Sequence, residues 1–290
     1  MNKIYKKILG LSIIFGVVLS SFHSFPSHIV QAIGSNSTDH VVIYFSPHAD
    51  DETLTFAVPI LNDIQAGKKV YIVLMSDGTR SRARDTVNGE YDFESRDLPI
   101  GKQVYCNWHN AIHDPTVDQH KDGALDRSTF GLRRIDEFYV ATAELGIPRD
   151  RVQVNLLPND AFTYHNVKQI IKMHARLFPD AEFKTMSHRD GHPDHAMVGR
   201  VINDMHASGE IKSKSNYLSI YTDRFYKHSF ASPGYKIYLT DTSDTQKVLH
   251  ALNAYKKWEP QNGWYGLGYH SVPAQFDGMA QDTYTKAVRN

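Results

Sequence analysis

Cysteine is nearly absent. Cys106 is the single thiol in 290 residues, which rules out an intramolecular disulfide and leaves no lipid-attachment cysteine near the amino terminus. A chain of this length can build its own core without such a staple. An excess of either charge is missing too. The 32 Lys and Arg balance 32 Asp and Glu with no basic block, which argues against nucleic acid as the main partner. The apolar run Ile8–Leu19 is shorter than the roughly 20 residues of a transmembrane helix. There is no internal repeat and no linker, so one domain is the simpler organisation.

What is present begins with Lys3, Lys6 and Lys7 ahead of that apolar run, and with Val30-Gln31-Ala32, which ends in a small residue suited to signal peptidase. Residues 1–32 therefore read as a cleavable signal peptide, with an uncleaved membrane anchor as the alternative. The expected location is secreted or at the cell surface, with contact to a membrane only through the export signal. Gly34 to His40 reads as a disordered lead-in, and Asn36-Ser37-Thr38 fits the glycosylation pattern.

Residues 33–290 read as a single domain. Strands are predicted at Val41–Phe45, Lys69–Met75, Arg151–Leu156 and Phe183–Met186, then at Asn216–Tyr221 and Lys236–Thr240. Helices are predicted at Glu52–Ala66, kinked or divided at Pro59 and closed by Gly67, and at Leu132–Leu145, Val167–Phe178, Ala196–Met205 and Thr245–Lys257. The alternation predicts an α/β fold, a doubly wound and mostly parallel sheet with helices on both faces. Between about residues 79 and 130 the pattern breaks down into a long insertion rich in Asp, Arg, His and Gly. So long a connection is functional or disordered.

Two charged turns carry the chemistry. Ser46-Pro47-His48-Ala49-Asp50-Asp51-Glu52 empties an imidazole and three carboxylates from the end of one strand into one turn, and such crowding of like charge calls for a cation or water. Ser187-His188-Arg189-Asp190-Gly191-His192-Pro193-Asp194-His195 follows another strand and opens a helix, with His192 and His195 spaced to point at one region. Parallel strands would bring both turns to the same sheet edge. Three mixed His and carboxylate ligands with one open position make a catalytic zinc site, and His48, Asp51 and His195 can provide it. Asp50, beside a ligand but pointing elsewhere, is the candidate general base for the water that such a cation acidifies. His192, kept protonated by a carboxylate, can stabilise an oxyanion or protonate a leaving amine. Glu52 reads as an acid favouring the helix start, and Asp194 as a supporting or capping residue.

Pro47-His48-Ala49-Asp50-Asp51-Glu52 and His192-Pro193-Asp194-His195 resemble the two signature motifs of the PIG-L/LmbE-like zinc N-deacetylase family. Arg134-Ile135-Asp136-Glu137 with Ala143-Glu144-Leu145-Gly146, and Ser76-Asp77-Gly78, are similar to two further family stretches. The resemblance implies a Rossmann-like fold and hydrolysis of an N-acetyl group, usually on an N-acetylglucosamine unit. It implies His48, Asp51 and His195 as metal ligands, Asp50 as base and His192 as electrostatic or acid partner. Zn2+ is the implied metal, with another divalent ion such as Fe2+ as an alternative. The insertion between Asp77 and Arg134 is longer than in compact members, and the export signal sets the chain apart from members acting on cytosolic thiol-sugars.

The expected function is thus a secreted metal-dependent deacetylase acting on an N-acetylated sugar or glycan. A phosphoesterase-type metal hydrolase and a non-catalytic glycan-binding protein are the alternatives. Arg189, Arg134 and His270 are the expected substrate contacts, with Arg134 and Glu137 also readable as an internal pair. His109, His113, His120 and Asp114 could hold a second metal, but their spacings match no ligand template, and a solvated loop is the preferred reading. The tail Trp264-Tyr265-Gly266-Leu267-Gly268-Tyr269-His270 reads as a sugar-facing platform or as simple packing of the carboxyl terminus.

Overall fold

The computed structural model describes residues 40–95, 99–226 and 234–288, all within the compact unit spanning residues 39–290. The expected signal peptide at 1–32, the glycosylation pattern at Asn36 and most of the lead-in lie outside the described residues. The strands are β1 (Val41–Ser46), β2 (Lys69–Leu74), β3 (Val152–Val154), β4 (Glu182–Met186), β5 (Ser213–Leu218), β6 (Gly234–Ile237), β7 (Trp258–Glu259), β8 (Trp264–Tyr265) and β9 (Thr285–Val288). The helices are α1 (Asp51–Leu54), α2 (Ala57–Gln65), α3 (Ala83–Asn88), α4 (Arg127–Glu144), α5 (Tyr164–Leu177), α6 (Pro193–Ala207), α7 (Thr245–Ala254), α8 (Leu267–Ser271) and α9 (Pro273–Gln281). Among the described residues no helix is long and apolar enough to cross a membrane.

The main sheet runs β3-β2-β1-β4-β5-β9-β6. Its first five strands are parallel, and β9 and β6 join antiparallel at one edge. Alternate residues of β1 feed opposite faces, as the period of a strand requires. Val42 and Tyr44 pack with Ile60, Phe138, Leu252 and Phe276 of α2, α4, α7 and α9. Ile43 and Phe45 pack with Val167, Ile171, Val198 and Ile202 of α5 and α6. This is the expected mostly parallel sheet covered on both faces. The strand order reverses between β1 and β4, which pair directly with Ile43 opposite Phe183. The crevice at such a reversal is where open α/β sheets place ligands, and both charged turns leave the sheet there.

Several elements depart from the expectations. The helix after β1 divides at Thr55–Phe56, and Pro59 sits in the first turn of α2, where its missing N–H costs nothing. In its described residues the stretch 79–130 is folded rather than disordered. It contains α3, buries Arg84 against Asp85 and Asp92, and forms a small core in which Ala83, Val87, Leu125 and Phe130 meet Tyr265 and Leu267 of the carboxyl-terminal region. His113 and His120 are buried within it.

The seating of α6 depends on Gly199. A Cβ there would lie 2.4 Å from the backbone N of His188 and 2.5 Å from the carbonyl of Met186, so helix and strand end approach more closely than any side chain allows. Gly199→Ala is expected to destabilise the fold by about 1–3 kcal/mol, the usual range for overpacking, as read from the denaturant midpoint at unchanged m-value. A midpoint equal to that of the parent would mean that α6 is free to shift.

Candidate active site

The first turn is built on strain. Asp50 takes φ of 115°, a left-handed conformation costly for a residue with a Cβ, and it caps α1. Three contacts hold it there. Its backbone N–H donates to Glu52 Oε2 at 3.0 Å, its carbonyl accepts from the backbone N–H of Leu54 at 2.8 Å, and Arg134 Nη2 donates to its Oδ2 at 2.9 Å. Arg134 also donates to the carbonyl of Ala49. Glu52 is fully buried and accepts from Tyr255 Oη and Thr53 Oγ1, each at 2.7 Å. It is an interior brace for the turn, and burial pushes its carboxyl up to about 8.

With the turn fixed, His48 and Asp51 face His195 across the β1–β4 crevice. His48 Nδ1 lies 3.1 Å from His195 Nε2 and 3.3 Å from Asp51 Oδ2, and His195 Nε2 lies 3.1 Å from the same oxygen. Three donors bonded to a cation at about 2.0–2.1 Å in a tetrahedron stand about 3.3 Å apart, so this triangle has the size a metal needs. Behind it, Asp194 Oδ2 lies 3.3 Å from His48 Nε2, and Asp190 Oδ1 lies 3.1 Å from His195 Nδ1. Each imidazole therefore turns its far nitrogen to a carboxylate, the arrangement that orients metal-ligating histidines. The carboxylates are themselves anchored. Asp190 accepts from the backbone N–H of Ser219 at 2.8 Å, and Asp194 from those of Asp160 at 2.8 Å and Phe162 at 3.2 Å.

The electrostatics demand positive charge at this point. Burial would raise the Asp51 carboxyl, yet His195 and His48 hold it far below the usual range. Burial would lower His195, yet Asp51 and Asp190 hold its imidazole well above the usual value. Three carboxylates around two imidazoles thus stabilise a proton where a cation would serve better. The donor set fits a divalent metal.

Asp50 differs from its neighbour. Burial pushes its carboxyl up to about 6, with Arg134 opposing and Asp51 reinforcing the shift. Arg134 occupies Oδ2, while Oδ1 has no partner among the described residues. His192 caps α6, and its Nδ1 accepts from the backbone N–H of Asp194 at 3.2 Å. Its proton therefore sits on Nε2, 3.8 Å from Asp160 Oδ1. Burial, followed by His195 and His48, pushes this imidazole down to about 4. This shift favours a neutral imidazole, whereas the sequence pointed to a protonated one.

A cavity of about 580 Å³ opens over these groups, lined by His48, Asp50, Asp51, His192 and His195 together with Arg134 and residues of the loops after β2, β3 and β5. The size suits a small ligand. Of the expected substrate contacts, Arg134 lines this cavity, but through its pairing with Asp50, while Glu137 accepts instead from the backbone N–H groups of Leu267 and Gly268. Arg189 is exposed and outside the cavity lining. His270 is also outside it, although the next residue, Ser271, is part of the wall. The sequence reading assigned no role to Asp190, Asn159, Asp160 or Tyr255. Only Asp190 left a trace, standing five residues before His195 in the same turn.

A family model described as PIG-L, GlcNAc-PI de-N-acetylase, matches residues 43–206. Among solved structures, N,N'-diacetylchitobiose deacetylase from Pyrococcus horikoshii, complexed with its inhibitor MPG, is similar over 87% of this chain and 84% of its own, with 15% identity and a TM-score of 0.51. A triple mutant of a deacetylase from the teicoplanin biosynthetic pathway is similar over 86% of this chain and 97% of its own, with 14% identity and a TM-score of 0.54. At such identities these likenesses speak for the fold. No curated protein matches the chain.

Proposed function

The chain belongs to the PIG-L family, GlcNAc-PI de-N-acetylase, and from that premise we propose that it is an exported, zinc-dependent deacetylase that hydrolyses the N-acetyl group of N-acetylglucosamine-type sugars or glycoconjugates. The observation that carries the reading is the triangle of His48 Nδ1, Asp51 Oδ2 and His195 Nε2, with Asp50 beside it and held off by Arg134. Those three residues would hold the metal, which when bound supplies a Lewis acid for the acetyl carbonyl and acidifies a water.

The chain's own residues do the rest. Asp50 takes a proton from the attacking water as the new C–O bond forms. His192, neutral and with its proton on Nε2, donates a hydrogen bond to the oxyanion that develops on the former carbonyl oxygen. When the C–N bond breaks, the proton on Asp50 passes to the leaving amine, so acetate and a free amino sugar result. Arg134 acts through Asp50 as a positioning residue, fixing one oxygen of its carboxylate. Export rests on the amino-terminal pattern of basic, apolar and small residues.

Acetate release from a panel of N-acetylated sugars, chitin fragments and peptidoglycan fragments tests the proposal. Release from at least one is expected, lost with a chelator and restored by Zn2+. Phosphate release from phosphoesters without acetate release would favour the hydrolase alternative. Sugar binding that survives chelation without turnover would favour a binding protein.

A further inference from the structure

A second cluster of metal-ligand residues lies in the insertion, built from none of the groups used above. Cys106, His109 and His113 come from one short stretch around the bridge Cys106–Ala111, and His270 comes from α8, more than 150 residues later. One donor atom from each lies within 4.8 Å of all the others. Cys106 Sγ is 3.7 Å from His109 Nδ1, and His109 Nδ1 is 3.1 Å from His113 Nε2. Tetrahedral bonds of about 2.3 Å to sulfur and 2.0–2.1 Å to nitrogen place S and N about 3.5 Å apart and two nitrogens about 3.3 Å apart.

The hydrogen bonds around the cluster already direct lone pairs inward. His113 Nδ1 lies 2.8 Å from Asp118 Oδ2, so the proton belongs on Nδ1 and the Nε2 lone pair faces His109. His270 Nδ1 lies 2.9 Å from the carbonyl of Gly266, which accepts its proton. Its Nε2 is left buried with no hydrogen-bond partner among the described residues. A buried lone pair without a donor costs free energy unless a cation takes it up. Trp108 and Trp258 pack their rings against His109 and His270, at centroid distances of 4.1–5.4 Å.

We propose that Cys106, His109, His113 and His270 form a second, structural Zn2+ site that fastens the insertion to α8. One thiolate and three imidazoles give a four-coordinate soft-to-borderline set with every position filled by protein, which is the pattern of a structural zinc rather than a catalytic one. Binding exchanges the Cys106 S–H proton for the metal and releases it to solvent. Asp118 and the Gly266 carbonyl are the outer partners that orient His113 and His270. The site sits one residue from Ser271, whose Oγ lies 2.9 Å from Ser81 Oγ in the wall of the catalytic cavity. It therefore staples the insertion to the part of the chain that completes that wall.

Cobalt distinguishes the two sites, because the His48, Asp51 and His195 set contains no sulfur. Full-length protein loaded with Co2+ is expected to bind two ions per chain and to show a thiolate-to-cobalt charge-transfer band in the near ultraviolet. His195→Ala should bind one ion and keep the band. Cys106→Ser and His270→Ala should each bind one ion and lack the band. Zn2+ should displace the band in the parent protein and raise its melting temperature. Absence of the band in parent protein held with excess Co2+ overturns the proposal without recourse to any variant. So does a Cys106→Ser protein that still binds two ions. Loss of the band in His195→Ala alone would assign the sulfur to the catalytic cluster and overturn it as well.

Discussion

Asp50→Asn is expected to lower acetate release by about 10²–10⁴-fold, the usual worth of a general base, while the metal content stays at the parent level. The substitution is chosen for the backbone as well as for the chemistry. Asp50 sits at φ of 115°, and Asn is among the few residues that tolerate positive φ, so the turn should survive. Asn can also keep a carbonyl oxygen toward Arg134, which preserves the 2.9 Å contact. What it loses is the ability to accept a proton. His48, Asp51 and His195 are untouched, so elemental analysis should give unchanged metal per chain. Parent-level turnover in a metal-loaded Asp50→Asn protein would remove Asp50 from the mechanism and shift the role of base to another carboxylate of the cavity.

His195→Ala is expected to have the opposite signature, with metal and turnover lost together from the catalytic site. Removal of a residue that only orients a ligand costs about 10–100-fold in metal affinity, and loss of a ligand should exceed that. The fold should suffer too. His195 stands 3.1 Å from both Asp51 and Asp190, and both carboxylates are buried. Breaking a buried pair by removing one partner costs about 3–5 kcal/mol because a charge is left uncompensated. Titration of Zn2+ into the variant, with thermal melts alongside, separates the two effects. Parent-like Zn2+ affinity at the catalytic site would show that His195 is not a ligand and would turn attention to His192, whose ring also converges with those of His48 and His195.

The contrast between these variants depends on two neighbouring residues in one turn having different jobs. Asp50 and Asp51 are alike in the sequence, and only their surroundings separate them. Asp51 faces two imidazoles and is held as a carboxylate. Asp50 is buried between Arg134 and Asp51, and burial leaves it able to exchange a proton near neutral pH. Environment sets opposite roles for the same chemical group, which is how acid and base work is divided in many active sites.

The sequence by itself determined the elements that local pattern can encode. β-branched runs gave the central strands, 3.6-residue periodicity gave α4 through α7, and the turns after β1 and β4 announced themselves by crowding charge and imidazole. Because parallel strands carry their ends to one edge, the pairing of His48, Asp50 and Asp51 with His192 and His195 was legible before any coordinates. The tertiary structure alone decided what depended on distant partners. Tyr255 braces Glu52 across 203 residues, and Arg134 pairs with Asp50 across 84. His270 leaves the catalytic cavity for the Cys106 cluster. The insertion, polar and without periodicity, buries Arg84, His113 and His120 because the carboxyl-terminal strands and helices supply the apolar cover that its own sequence lacks. Contacts of that kind leave no spacing to read, since they join segments far apart in the chain.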